Sequence, residues 1–247
     1  MDALVRFDRV TLNYRVFHER SQSLKATLIN KLRRRDAFEI YPALKNVSFA
    51  VQPGEAVGII GTNGSGKSTL LKLVANILTP SAGSLDVRGR VAALLELGAG
   101  FSLDLTGAEN IYLNASLLGL SRKETDARFG DIVAFSELDH FIDSPIRHYS
   151  SGMYMRLGFA VAVHVDADLL LFDEVIAVGD QGFQRKCYEK ILGFREQGRT
   201  IFVVSHSLET LSRICERGLL LEHGALVADG PFAEVAQAYT ELYVARK

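Results

Sequence analysis

Ala56-Val57-Gly58-Ile59-Ile60-Gly61-Thr62-Asn63-Gly64-Ser65-Gly66-Lys67-Ser68 is the stretch on which the fold turns. Its first five residues form a short apolar run, as a buried parallel strand reads. Gly61 to Ser68 then fits G-x-x-x-x-G-K-[ST]. Leu70, Leu71, Val74, Ile77 and Leu78 recur on one face, which predicts a helix ended by Thr79-Pro80-Ser81-Ala82-Gly83. Strand, glycine loop and helix in that order are the context a phosphate-binding loop requires. The glycines let backbone N–H groups close around phosphates, and the helix N-terminus adds the positive end of its dipole. Lys67 supplies a point charge, Ser68 a hydroxyl suited to Mg²⁺, and Thr69 completes the binding set. A glycine-rich turn that binds nothing is the alternative, and it needs lysine, hydroxyl and flanking elements to coincide by accident.

Two further apolar strands follow. Leu169-Leu170-Leu171-Phe172 ends in Asp173-Glu174, at the end of the sheet where such folds bind ligands. Asp173 suits the Mg²⁺ shell, and Glu174 suits a base that orients or deprotonates an attacking water. Paired acids at a strand end also serve as helix caps. Val203-Val204-Ser205 places His206 just past the other strand, where an imidazole can donate to an oxygen bearing transition-state charge.

Short β-type runs alternate with helical stretches, so the chain reads as α/β. Val5 to Tyr14 and Val47 to Val51 are strands near the start. A mainly helical stretch from Gly107 to Val165 is a candidate separate lobe, between core segments 1–106 and 166–230. Gly218 to Glu222 and Ala225 to Asp229 flank His223-Gly224, a two-residue hairpin turn, and Pro231 opens a terminal helix over 231–244. Residues 15–41 form an insertion between the first two strands. Positions 15 to 35 carry seven basic side chains against one acidic, with Leu24, Leu28 and Leu32 every fourth residue. That is a short basic amphipathic helix, either a solvated face or a docking element for lipid headgroups or an anionic substrate.

At 247 residues the chain is one large domain, or a main domain with an appended lobe. With 28 basic and 29 acidic residues it lacks the strongly basic balance of a sequence-independent nucleic-acid binder. No apolar run approaches the roughly 18 residues of a membrane span. The start lacks the pattern of a secretory leader, and Cys187 and Cys215 have no metal-like or redox spacing, so a cytosolic address is expected.

Tyr149-Ser150-Ser151-Gly152-Met153 resembles the signature motif of ATP-binding cassette proteins, whose consensus is Leu-Ser-Gly-Gly-Gln. Tyr149, Ser151 and Met153 depart from it, while Ser150 and Gly152 keep a hydroxyl and a close-approaching N–H at a helix N-terminus. The resemblance runs from Val5 to Val227. It implies a P-loop fold with a mixed, mainly parallel sheet, an antiparallel β part and a helical signature lobe, binding ATP and Mg²⁺. It implies too that Ser150, Ser151 and Gly152 complete the site of a second, head-to-tail copy, and that Asp180 lies in the loop touching that copy. Tyr14 takes the place of the aromatic that stacks on adenine, with Phe38 and Tyr41 as rivals. The family's glutamine falls near Glu96 to Gly98, where Glu96 is the nearest polar substitute and a candidate metal contact.

Tyr-Ser-Ser-Gly-Met, Glu-Leu-Gly-Ala-Gly-Phe at Glu96 to Phe101, and Asp-Glu-Val-Ile-Ala-Val-Gly-Asp-Gln-Gly-Phe at Asp173 to Phe183 are similar to those of O-antigen, capsule and teichoic-acid exporters. The resemblance implies an ATPase homodimer on polytopic permease subunits at the cytoplasmic side of the inner membrane, moving lipid-linked polysaccharide. It implies the short form, without a C-terminal carbohydrate-binding domain. A soluble cassette acting on nucleic acid or the ribosome, or a subunit for another substrate, is the competing expectation, and no nucleic-acid partner is expected.

Overall fold

The computed structural model describes residues 2–17, 38–95, 97–173, 179–205 and 207–244. A six-stranded sheet carries the order β5-β6-β7-β3-β8-β9, built from β3 (Ala56–Ile60), β5 (Val91–Leu94), β6 (Leu169–Asp173), β7 (Thr200–Val204), β8 (Arg217–Glu222) and β9 (Ala225–Pro231). All its pairings are parallel except β8 with β9. A separate antiparallel sheet has the order β2-β1-β4, from β1 (Val5–Phe17), β2 (Phe38–Val51) and β4 (Ala82–Val87).

Strand periodicity divides the central sheet between two cores. Val57, Ile59, Leu169, Leu171, Phe202 and Val204 face the antiparallel sheet, whereas Ile60, Leu170, Phe172, Ile201 and Val203 face the opposite way. Both faces are covered, which is why these strands read as continuous apolar runs. Helix α1 (Lys67–Val74) lies in the first core, where Leu70, Leu71, Leu73 and Val74 have no exposed surface. Eight residues are too few for a stable helix in water. Burial at about 1.5–3 kcal/mol per large apolar side chain holds it there.

Helices α2 (Gly107–Leu117), α3 (Arg122–Ser136) and α4 (Ser151–Ala162) pack together and against the second core. Thr106-x-x-Glu109 and Ser121-x-x-Glu124 start α2 and α3 as reciprocal capping boxes. Helices α5 (Gln181–Glu196), α6 (Leu208–Ile214) and α7 (Phe232–Val244) complete the chain.

Several local expectations need correction. The first helix stops at Val74, because Asn76 is left-handed at φ 57° and the amides of Asn76 and Ile77 close back on Leu73 and Lys72. Ile77 is 61% exposed instead of continuing the buried face. The insertion is narrower than 15–41, since β1 runs to Phe17 and β2 begins at Phe38, pairing Tyr14 with Tyr41 and Phe17 with Phe38. The basic segment between them lies outside the described residues. Pro231 closes β9, and α7 starts at Phe232. His223 and Gly224 both have positive φ, 46° and 83°, as a tight hairpin turn needs.

Candidate active site

The loop from Gly61 to Gly66 leaves the C-terminal end of β3 and enters α1. Gly61 packs so closely that a Cβ would stand 2.4 Å from the Leu221 carbonyl oxygen and the Ser65 hydroxyl. Gly66 caps α1 at φ 109°, and a Cβ there would meet the Ala43 carbonyl at 2.8 Å. Gly64 differs: its φ is 77°, yet nothing lies within 4 Å of its missing Cβ, so it fronts open space. Lys67 Nζ donates to the carbonyls of Gly61 at 2.9 Å and Thr62 at 3.0 Å, which draws the ammonium back across the loop.

A buttress supports this loop. Gly224 N–H donates to the Ser65 carbonyl at 3.0 Å, and the Gly224 carbonyl accepts from Lys45 N–H at 2.7 Å. The β8–β9 turn and the middle of β2 therefore brace it from behind. Among the described residues, Tyr14, Tyr41, Ala43, Asn63, Gly64, Gly66, Lys67, Ser68 and Thr69 line a cleft of about 240 Å³. Tyr14 and Tyr41 are direct cross-strand partners, 38% and 54% exposed. Phe38 sits apart under the Arg15 guanidinium, 5.2 Å from its ring centroid. Gly61, Thr62 and Ser65 shape the loop without lining the cleft.

The cleft suits a phosphate chain: the amide donors of the first turn of α1, the Lys67 ammonium and the room in front of Gly64 all meet there. Asp173 ends β6, paired in register with Val204 of β7, and β7 lies between β6 and β3. Among the described residues no cluster of three or more His, Cys, Asp or Glu could hold a metal ion. The hydroxyl of Ser68 and the carboxylate of Asp173 are a sparse set, of the kind magnesium takes when phosphate and water oxygens complete its shell. Glu96, Glu174 and His206 lie outside the described residues.

The model of the ABC transporter family matches residues 44–177. The chain belongs to that family. It is 46% identical over 246 residues to an O-antigen export system ATP-binding protein RfbB of Klebsiella pneumoniae, covering 98% of this chain and 99% of that one. It is equally identical to an RfbB of Myxococcus xanthus but spans only 56% of that relative. It is 40% identical to a teichoic acids export ATP-binding protein TagH of Bacillus anthracis, covering 98% of this chain and 43% of the relative. Two solved structures at 23% identity share the fold. The dimeric post-hydrolysis state of the cassette MJ0796 with ADP and Pi has a TM-score of 0.72 over 92% of this chain and 98% of that chain. An ATP binding subunit of an ABC transporter has 0.76 over 98% of each.

In this ABC cassette the signature-like turn opens α4. Ser150 is its N-cap, exposed, with Oγ accepting from Met153 N–H at 3.2 Å. Ser151 is exposed too, and a Cβ at Gly152 would approach only the Ser150 hydroxyl, at 3.8 Å. Asp180 caps α5, its Oδ1 accepting from Phe183 N–H at 3.0 Å while Arg156 of α4 pairs with Oδ2. The Phe183 amide first, and Arg156 with it, hold the Asp180 carboxyl below the usual range. The sequence gives no sign of the parts played by Arg156, Tyr154 and Ala43, and it marks Gly224 as half of a hairpin turn and not as a brace of the phosphate loop. Only the glycine, next to a turn histidine, carried a local signal.

Proposed function

We propose that this chain is the ATP-hydrolysing subunit of a transporter that exports lipid-linked polysaccharide of O-antigen, capsule or teichoic-acid type. It works as a head-to-tail homodimer on polytopic membrane subunits, at the cytoplasmic face of the inner membrane. The observation that carries the ATPase reading is the single cleft that joins Tyr14 and Tyr41 to Gly64, Lys67 and Ser68. An aromatic pair for a base and an ammonium with helix amides for phosphates are what a nucleoside triphosphate requires. The names of the RfbB and TagH relatives, export ATP-binding proteins for O-antigen and teichoic acids, support the cargo.

In this reading Tyr14 stacks on the base with Tyr41 beside it in the same cleft, and Gly61 to Thr69 hold the phosphates with Lys67 as the point charge. Ser68, Asp173 and Glu96 hold Mg²⁺, which when bound draws charge from the phosphate oxygens. Glu174 orients the attacking water, and His206 donates to a terminal oxygen. Ser150, Ser151 and Gly152 of one copy close the site of the other, with Asp180 at the seam. The core is 1–106 with 166–230, and the lobe is 107–165. A second cleft of about 560 Å³ supports the membrane partner. It is lined by Ala75, Ile77, Leu97, Leu117, Leu118 and neighbouring residues, and it offers apolar side chains where the lobe meets the core.

The test uses the full chain expressed with its own membrane subunit. Mg²⁺-dependent ATPase activity is expected to fall by about 10²–10⁴ in Glu174→Gln with ATP affinity kept. That variant should collect as a dimer with Mg-ATP, and Lys67→Ala should stop export of surface polymer in cells. Co-purification with nucleic acid in place of a membrane protein, or a monomer throughout, would refute it.

A further inference from the structure

The turn after β5, where the family's glutamine is replaced, touches the helix that the signature-like turn opens. The turn after β5 passes through Leu97, Gly98, Ala99 and Gly100, with Gly98 left-handed at φ 75°. The Tyr154 hydroxyl of α4 donates to the Gly98 carbonyl at 2.8 Å. The Tyr154 ring sits edge-on to Phe101, centroids 5.1 Å apart, and a Cβ on Gly98 would stand 2.3 Å from that ring. One turn further along α4, a Cβ on Gly158 would meet the Gly98 amide nitrogen at 2.7 Å. Asn114 of α2 closes the other flank, donating to the Ala99 carbonyl at 2.9 Å.

Both ends of this contact lead to the site. Tyr154 is one helical turn from Ser150, and its amide donates to the Ser150 carbonyl at 3.0 Å. On the other side the turn continues β5, whose Leu94 pairs with Phe172, the residue before Asp173. Backbone pairing thus ties β5 to the carboxylate strand, and one side-chain hydrogen bond ties the 97–101 turn to the helix that Ser150 caps.

We infer that Tyr154 is a positioning residue for ATP-driven dimer closure: its hydroxyl locks the 97–101 turn to the first turn of α4, so that the two move as one body. This deepens the proposed ATPase reading and rests on it. A shift of the β5 exit on nucleotide binding is then delivered to Ser150 and Gly152, instead of being absorbed in a glycine-rich loop with two left-handed residues. Tyr154 acts through Gly98 and touches no nucleotide.

Tyr154→Phe separates this role from packing. The ring stays against Gly98 and Phe101, and the Gly98 carbonyl keeps the Phe101 N–H at 2.9 Å, so no buried acceptor is orphaned. The ATP affinity of the monomer and KM are expected to stay at wild-type values, and the thermal midpoint to fall by no more than the few degrees that one hydrogen bond is worth. The turnover number should fall about three- to tenfold, the scale of one hydrogen bond, with ATP-driven dimerisation in a Glu174→Gln background weakened in step. Hydrogen exchange gives a readout independent of turnover. Amides of 97–101 and 150–154 should open together in the wild type and separately in the variant.

Wild-type turnover and dimerisation in Tyr154→Phe, or exchange that is unlinked already in the wild type, would overturn the inference. A joint loss of thermal midpoint and ATP affinity would assign Tyr154 to packing and overturn it equally. Failure of the wild-type chain to hydrolyse ATP would instead refute the ATPase reading, and the exchange measurement still decides whether the hydroxyl joins the two segments.

Discussion

Arg156 of α4 donates at once to Asp180, which caps α5, and to Glu137 Oε2 at 2.9 Å, where α3 ends in a left-handed residue. Its guanidinium also lies 4.9 Å from the Phe183 ring centroid. The helix that Ser150 caps is thereby tied to the start of α5, through a side chain only 18% exposed.

Asp180→Asn tests the charge in that tie. Asparagine caps as well as aspartate, so α5 should keep its start. With its folded value depressed, the Asp180 carboxylate contributes stability above its ordinary value of 3.8 and loses it as pH falls through the folded value. Urea unfolding should therefore find wild type more stable than Asp180→Asn at pH 7, with the gap closing towards pH 3. A gap independent of pH would remove the electrostatic account.

The paired tyrosines invite a comparison of Tyr14→Ala, Tyr41→Ala and both together. A single stacking platform predicts that one change weakens ATP binding and the other does nothing. The cross-strand pairing, with both residues lining the same cleft, predicts losses from each of about two- to tenfold, the scale of an aromatic stacking contact. Titration of the monomer with a fluorescent ATP analogue reads this directly. Phe38→Ala should leave affinity unchanged.

Gly224 carries the support behind the phosphate loop. Its φ of 83° and the 2.7 Å that would separate a Cβ from the Ala43 carbonyl leave alanine no relaxed place. Gly224→Ala should cost about 1–3 kcal/mol of stability. Because the same residue donates to the Ser65 carbonyl, ATP affinity should fall as well, although residue 224 lies outside the cleft lining. Unchanged affinity in a destabilised protein would mean that the loop holds its shape unaided.

What could be read in advance followed the physics of each element. The strands β3, β6 and β7 are buried on both faces, so their apolar runs and the polar residues at their ends stood out. The strand β4, Ala82–Val87, is mostly exposed and has no apolar pattern, and β5 is only four residues long, so neither was anticipated. The end of α1 was hidden because Ile77 and Leu78 continue the apolar spacing, and the left-handed Asn76 that stops the helix is visible only in the backbone. Tyr154 meets Gly98 across 56 residues and Arg156 meets Asp180 across 24, contacts for which neither period nor motif gives a signal.

Cys187 and Cys215 are buried thiols, each pushed up to about 12 by loss of solvent. Since the thiolate is the nucleophile, both should resist alkylation at pH 8 in the native protein and react fully in denaturant. Mass spectrometry after brief iodoacetamide treatment checks this. Rapid native labelling of Cys187 would show that α5 opens readily beside the Asp180 cap.

Ser150 has two roles that a single substitution can pull apart. Its hydroxyl caps α4 by accepting from Met153 N–H, and under the proposed function the same exposed turn meets a phosphate held by the other copy. Ser150→Ala removes the cap and should cost about 0.5–2 kcal/mol, lowering the thermal midpoint by a few degrees. Ser150→Asp keeps the cap, because a carboxylate accepts from the same amide and suits a helix N-terminus. Its negative charge would then face the negative charge of the partner's nucleotide. The aspartate variant should melt with the wild type, bind ATP as a monomer with unchanged affinity, and fail to dimerise on Mg-ATP. A Ser150→Asp protein that still forms the nucleotide dimer would show that this turn points elsewhere, whatever its stability.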